Sequence, residues 1–122
     1  MNFMLKQNQG NNTRKIGSKY EQMAKEYLET KGYLVVCTNY RCQIGEIDII
    51  AKNEDYIIFV EVKYRSKSTF GYPREAVNYK KQQKIKAVAK YFLKSQLHSY
   101  ANCRFDIIEI LGISLIHIKA AF

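Results

Sequence analysis

The stretch YIIFVEVKY at residues 56–64 is a long run of apolar and β-branched residues, and it predicts a mostly buried β-strand. A similar stretch, EIDIIAK at residues 46–52, precedes it, and only the polar residues NED separate the two. Two strands joined by so short a turn predict a β-hairpin. Charged side chains inside these apolar strands, above all Asp48, Glu61 and Lys63, are therefore the first candidates for a functional role.

The length of the turn decides which side chains of the hairpin face each other. A two-residue loop pairs Asn53 with Tyr56 and, counted outward, sets Asp48 opposite Glu61. Because side chains alternate along a strand, Asp48, Glu61 and Lys63 then share one face. The opposite face is filled by Ile47, Ile49, Val60 and Val62. A loop one residue longer would place the two acids on opposite faces, so this register is a prediction.

Hydrophobic periodicity on either side of the hairpin predicts the remaining elements. The predicted elements are, in chain order, a helix at 14–31 capped by Gly32, strands at 33–38, 46–52 and 56–64, a helix at 78–96, and strands at 104–111 and 113–120. A strand, helix and strand in succession predict a right-handed crossover and a parallel pair of strands. We therefore expect an α/β fold with a mixed sheet flanked by helices and one extra C-terminal strand.

Length and composition limit the class of protein. A chain of 122 residues that is 47% hydrophobic suffices for one domain, and we expect a flexible tail at residues 1–13 and a single domain at 14–122. The net charge of +9 favours a polyanionic partner, nucleic acid ahead of a membrane. The sequence has neither a membrane-spanning apolar stretch nor a secretory one, which predicts a cytoplasmic location.

The cysteines favour reduced thiols over a disulfide framework. Cys37, Cys42 and Cys103 are odd in number, and nothing in the chain predicts export. The alternative is a zinc site that adds His98 to these three residues. Because Cys37 and Cys103 lie in or beside apolar strand patterns, small buried side chains are the favoured interpretation.

Two carboxylates that face each other across a hairpin repel each other. The repulsion destabilises the ionised pair most where little water surrounds it. A divalent cation between Asp48 and Glu61 would offset it, and Mg²⁺ or Mn²⁺ suits such oxygen ligands. Lys63 on the same face would hold a water or phosphate oxygen and stabilise the charge that develops in the transition state. Together these groups favour phosphodiester hydrolysis. The alternative is an ordinary hairpin whose Glu61 and Lys63 are solvated on an open face.

An aspartate followed after a hairpin by Glu61-Val62-Lys63 resembles the Asp...Glu-x-Lys signature of restriction-endonuclease-like, or PD-(D/E)xK, nucleases. A closer resemblance, from Gly17 to Phe122, is to the bacterial YraN-like family of uncharacterised proteins. The residues that carry it are 39–42 (NYRC), 45–51 (GEIDIIA), 59–65 (FVEVKYR), 104–106 (RFD) and the final AF. This family is similar to archaeal Holliday junction resolvases, which implies an αβββαβ nuclease core and metal-dependent activity.

The resemblance also implies roles for single residues. Asp48 and Glu61 would be metal ligands, Lys63 the catalytic lysine, and Glu21 a further acid from the first helix. Pairing of Glu21 with Lys25 on a solvated helix surface is an equal alternative. Glu46 stands at the position of the signature's variable proline, so the match depends on Asp48, Glu61 and Lys63. Glu46 would either support the metal ligands without binding the metal or neutralise Lys63.

Basic residues near the hairpin and on the second helix are candidates for phosphate contacts. They are Arg41, Arg65, Lys67, Arg74, Lys80 and Lys84. A lysine-rich outer helix face more commonly serves solubility, so Arg41 and Arg65, which flank the acids, are the stronger candidates.

These observations favour a Mg²⁺- or Mn²⁺-dependent endonuclease that acts on DNA rather than RNA, with branched or single-stranded DNA as candidate substrates. A two-fold homodimer would be needed for resolvase-like cleavage of a symmetric junction. Two alternatives stay open. One is a nucleic-acid-binding module that keeps the fold without hydrolysis, and the other is an adaptor that binds a protein partner through the hairpin or a sheet edge.

Overall fold

The structure, a computed structural model, describes residues 12–65, 77–96 and 102–122, with the side chains of 12–17 and 96 excepted. Most of the predicted tail thus lies outside the described residues, but Asn12 and Thr13 already belong to the first helix. The elements follow the predicted order. They are α1 (Asn12–Thr30), β1 (Leu34–Arg41), β2 (Glu46–Asn53), β3 (Tyr56–Arg65), α2 (Tyr79–Gln96), β4 (Asn102–Leu111) and β5 (Ser114–Ile118).

The strands form one open mixed sheet in the order β1-β2-β3-β4-β5. Strands β3 and β4 are parallel along their whole lengths, from Tyr56 beside Asn102 to Arg65 beside Leu111, and the other neighbours are antiparallel. The parallel pairing of β3 and β4 that was predicted for the strands on either side of α2 is confirmed. The last strand, β5, is an edge strand, as expected of a short C-terminal addition.

Each face of the sheet is covered by one helix. The α2 face buries a cluster that includes Phe59, Ile85 and Phe92, whereas the α1 face buries one that includes Leu28 and Ile58. Alternate residues of β3 supply the two clusters, so the strand is apolar on both sides, as its sequence predicts. Of the described helices, neither is long and apolar enough to cross a membrane.

The ends of the helices follow local rules. Gly32 adopts φ +92°, and the Tyr33 N–H beyond it donates to the Leu28 carbonyl at 3.0 Å. This left-handed turn closes α1 and favours glycine because no Cβ is present to clash. At the start of α2, the Asn78 side chain caps the helix by accepting a hydrogen bond from the Lys81 N–H at 2.9 Å.

Strand β2 changes face at one position, and one prediction for the hairpin is therefore wrong. Ile47 was expected to share a face with Ile49, yet Ile47 packs in the α2 cluster and Ile49 in the α1 cluster. In β1, Asn39 has φ +55°, a left-handed conformation that asparagine tolerates, and it lies between the residues paired with Ile47 and Ile49. The left-handed backbone of β1 thus lies beside Asp48, the point at which β2 changes face.

Candidate active site

Strands β2 and β3 pair only along part of their lengths, and the candidate site lies where the pairing stops. Asn53 lies opposite Tyr56, which confirms the register predicted from a two-residue turn, and the last recorded pair is Ile49 with Val60. Asp48 and Glu61 are the next residues on each strand. Asp48 bridges the gap, because its Oδ2 accepts a hydrogen bond from the Val62 N–H at 2.8 Å.

A cleft of about 450 Å³ opens at this gap, on the α2 side of the sheet. One wall comes from β2, β3 and the turn before β2, and it carries acids. The other wall comes from the first turns of α2, and it carries lysines. The lining residues are Gly45, Glu46, Asp48, Glu61, Asn78, Lys80, Lys81, Lys84 and Ile85. The cleft thus sets carboxylates against ammonium groups across a space large enough for a small ligand.

Asp48 is held in an environment that opposes its charge, and its neighbour Glu61 is a second, buried acid. Glu61 is buried, with only 7% of its surface exposed. Burial raises the pKa of Asp48 well above its usual value, and the negative charge of Glu61 raises it further, although the hydrogen bond from Val62 acts in the opposite direction. An added positive charge would therefore stabilise the ionised pair.

Lys81 supplies such a charge in the structure, and sequence analysis did not single it out. Its Nζ lies 3.0 Å from Glu61 Oε2. Burial is the largest single effect and lowers the pKa of Lys81, but the charge and hydrogen bond of Glu61 together with the charges of Asp48 and Glu46 outweigh it, and the net pKa is raised. A signal was present, because Lys81 lies one helical turn before the buried Ile85 and so continues the apolar stripe of α2.

Glu21 approaches the same acids from α1, although it does not line the cleft. Burial raises the pKa of Glu21, and so do the negative charges of Glu46 and Glu61, while a hydrogen bond with the Asn39 side chain lowers it. The alternative pairing of Glu21 with Lys25 is wrong, since the Lys25 Nζ lies 3.8 Å from the Glu29 carboxylate instead.

Lys63 lies on the α2 face of β3, the face of Glu61. Its neighbour Val62 packs against the α1 cluster, so alternation directs Lys63 to the other side. Lys63 is half-buried and lies beside Glu109 of β4 in the parallel register. The Arg65 guanidinium forms an ion pair with the buried Glu109, and within the described ranges no ion pair is recorded for Lys63.

The proposed phosphate ligands differ in their surroundings. Arg41 pairs with Glu46 through Nε at 3.1 Å, and both side chains are exposed. Arg65 lies against Glu109, as described above. Lys80 and Lys84 line the cleft. Lys67 and Arg74 lie outside the described residues.

The donor set fits a cation that is only partly coordinated by protein. In the part of the chain that the structure describes, no three His, Cys, Asp or Glu side chains are arranged to hold a metal. Asp48 and Glu61 offer two carboxylates, and Mg²⁺ commonly takes one or two while it keeps several waters. The zinc alternative gains no support, because Cys37, Cys42 and Cys103 are free thiols and His98 is outside the described residues.

A second polar cluster surrounds Asp106 on the opposite face of the sheet. Asp106 is fully buried, and it accepts hydrogen bonds from Arg104 Nε at 2.9 Å and from His117 Nε2 at 2.8 Å. Tyr27 on α1 in turn lies 3.1 Å from His117 Nδ1. The cluster joins β4, β5 and α1, so the motif at residues 104–106 stabilises the fold and does not line the cleft.

Comparison with known sequences gives a family but no activity. Residues 20–110 match the family described as "Uncharacterised protein family UPF0102". A UPF0102 protein of Clostridioides difficile is 48% identical over 113 residues, which cover 91% of this chain and 99% of the relative. One from Clostridium acetobutylicum is 50% identical over 98 residues, 80% of each chain, and one from Alkaliphilus oremlandii is 52% identical over 99 residues, 80% of this chain and 85% of the relative.

Proposed function

We propose that this chain, which belongs to the uncharacterised protein family UPF0102, is a metal-dependent nuclease that hydrolyses phosphodiester bonds in DNA. The observation that carries the proposal is the meeting of Asp48 and Glu61 at the gap between β2 and β3, in a cleft whose facing wall is lined with lysines. The similarity to the restriction-endonuclease-like core, suggested by the Glu-x-Lys motif, is part of the proposal.

In this proposal the Asp48 and Glu61 carboxylates hold a Mg²⁺ or Mn²⁺ ion. Such an ion supplies Lewis acidity and neutralises charge at a phosphodiester. The Val62 N–H fixes Asp48 in place where it lines the cleft. Glu21 and Glu46 add negative charge near this pair and so favour a cation there.

The basic residues bind and orient the substrate in this proposal. Lys80 and Lys84, which line the cleft, contact phosphates. Lys63 is not among the lining residues, but it lies two residues beyond Glu61 on the same strand and would reach the scissile phosphate, where negative charge develops during hydrolysis. Because Arg65 neutralises Glu109, the Lys63 ammonium stays available to the substrate. The net charge of +9 would draw a polyanion to the surface.

A second candidate function is nucleic-acid binding without hydrolysis. The ion pair between Lys81 and Glu61 favours it, because the acids have a cationic partner without any metal. This candidate predicts binding that is sensitive to salt and indifferent to chelators.

Cleavage of a panel of linear, single-stranded and branched DNAs, in Mg²⁺ or Mn²⁺ and in EDTA, tests the proposal. We expect metal-dependent cleavage that falls by about a hundredfold or more in Lys63→Ala, the scale seen when one transition-state donor is removed. Lys94→Ala, at the far end of α2, is the matched control and should cleave at the normal rate. Cleavage that persists in EDTA or in Lys63→Ala would contradict the mechanism.

A further inference from the structure

The ion pair between Lys81 and Glu61 joins a half-exposed lysine side chain to a buried carboxylate. The Glu61 side chain is only 8% exposed and lies in the middle of β3, whereas the Lys81 side chain is 46% exposed on the first turn of α2. A long lysine side chain with an exposed stem can rotate away into the cleft without any movement of the backbone. The carboxylate has no comparable freedom.

The Lys81 ammonium group contacts Glu61 within the cleft. Both residues line the same cavity, together with Asp48. The charges of Asp48 and Glu46 also attract the Lys81 ammonium group. The ammonium group therefore offsets part of the negative charge of all three acids. A cation held by Asp48 and Glu61 would thus meet the same carboxylate oxygens and would be repelled by the ammonium group.

We infer that Lys81 is an internal counter-ion, which occupies the acidic wall in the metal-free protein and is displaced when a divalent ion binds Asp48 and Glu61. This inference rests on the proposed function, since it concerns the same two carboxylates. After displacement, the Lys81 ammonium group joins Lys80 and Lys84 on the opposite wall of the cleft. Metal binding would then increase the positive charge offered to phosphates.

The exchange has two physical consequences. Metal must break the ion pair before it binds, so Lys81 weakens the affinity for metal while it stabilises the metal-free fold. A residue with a purely structural role would instead weaken both stability and metal binding when removed. The two roles therefore predict opposite signs for metal affinity.

Titration calorimetry with Mn²⁺ on the full chain tests the inference. We expect Lys81→Met to bind Mn²⁺ about fivefold more tightly than the unaltered protein, the factor that corresponds to loss of one competing ion pair. Lys80→Met is the matched control, because it removes the same charge from the same cleft wall without any recorded ion pair. Its affinity should change by less than about twofold.

Thermal unfolding gives a second measurement that does not depend on affinity alone. In EDTA, Lys81→Met should melt at a lower temperature than the unaltered protein. Mn²⁺ should raise the melting temperature of Lys81→Met by more than it raises that of the unaltered protein. Lys81→Arg keeps a positively charged side chain at this position and should resemble the unaltered protein in both respects. It controls for a general folding defect caused by substitution at residue 81.

The outcomes separate the inference from the proposed function. If the unaltered protein binds no Mn²⁺, or if Glu61→Gln binds it equally well, the metal site itself is wrong. If Mn²⁺ binds at Glu61 but Lys81→Met binds it no more tightly than Lys80→Met, the counter-ion inference is overturned and the metal site stands.

Discussion

At the scale of single residues, Asp106 shows how this fold tolerates a buried charge. Its carboxylate accepts hydrogen bonds from two nitrogens of Arg104, from His117 and from the Ala120 N–H. Burial alone would raise the pKa of Asp106, but hydrogen bonds from His117, Arg104 and Ala120 outweigh it, and the net pKa is lowered. Asp48 is the opposite case, because a like charge adds to burial and raises its pKa. Asp106 therefore stabilises the fold as a fully paired carboxylate, whereas Asp48, whose pKa is raised by burial beside a second acid at the edge of a cleft, is a candidate for a binding site.

We expect Asp106→Asn to lower the free energy of unfolding by about 3 kcal/mol at neutral pH, because it leaves the part-buried Arg104 guanidinium and the buried His117 ring without an anion. A lowered pKa contributes stability above the ordinary carboxyl range, and this contribution is lost as the pH falls through the folded-state pKa. The difference between variant and unaltered protein should therefore shrink below about pH 4. Urea unfolding across a pH series measures it.

Asp55→Asn is the control for that series, because Asp55 is exposed in the turn between β2 and β3. Its effect should stay within about 0.5 kcal/mol at every pH. A cost of Asp106→Asn that is equally large at pH 3 and pH 7 would contradict the assigned role of the carboxylate.

At the scale of elements, the sequence was sufficient for the register of the hairpin and for the bounds of α2, but not for the change of face within β2. The short turn at Glu54 and Asp55 leaves few possible registers, so the pairing of Asn53 with Tyr56 could be predicted. The change of face at Asp48 could not, because the alternation of apolar residues in β2 does not contain it, and the irregular backbone beside it, at Asn39, is in a different strand.

The residues of the candidate site also differ in whether the sequence alone predicts their positions. Asp48 and Glu61 follow from alternation along two strands, which is a local property. The pairing of Lys81 with Glu61 depends on how α2 is set against the sheet, and a helical wheel does not contain that information. The ion pair of Arg65 with Glu109 was not predictable either, because Glu109 is far along the chain and no local pattern connects the two residues. The phosphate contact of Arg65 stays a prediction.

At the scale of the whole molecule, charge is distributed unevenly although the net charge is strongly positive. The acids Glu46, Asp48 and Glu61 lie together on one wall of the cleft, and the lysines of α2 lie on the other. A nucleic acid that enters this cleft would meet lysines with its phosphates and would approach the acids only with a cation between them. Binding should therefore be strongly dependent on salt.

The slope of log K against log salt concentration for DNA binding, measured by fluorescence anisotropy in EDTA, tests this distribution of charge. Lys80→Met should reduce the slope by about one unit, because one phosphate contact is lost, and should weaken binding equally across DNA sequences. Lys94→Met, at the other end of α2, should leave the slope unchanged. Equal slopes for the Lys80→Met variant and the unaltered protein would show that DNA does not occupy the cleft.

In the proposed function, Asp48 and Glu61 together hold a divalent cation. Anomalous diffraction from crystals soaked in Mn²⁺ would locate this cation independently of any activity. We predict a peak at bonding distance from carboxylate oxygens of both residues, with the Lys81 ammonium group moved away from Glu61. A well-ordered site without such a peak, or a peak that contacts neither acid, would contradict the account.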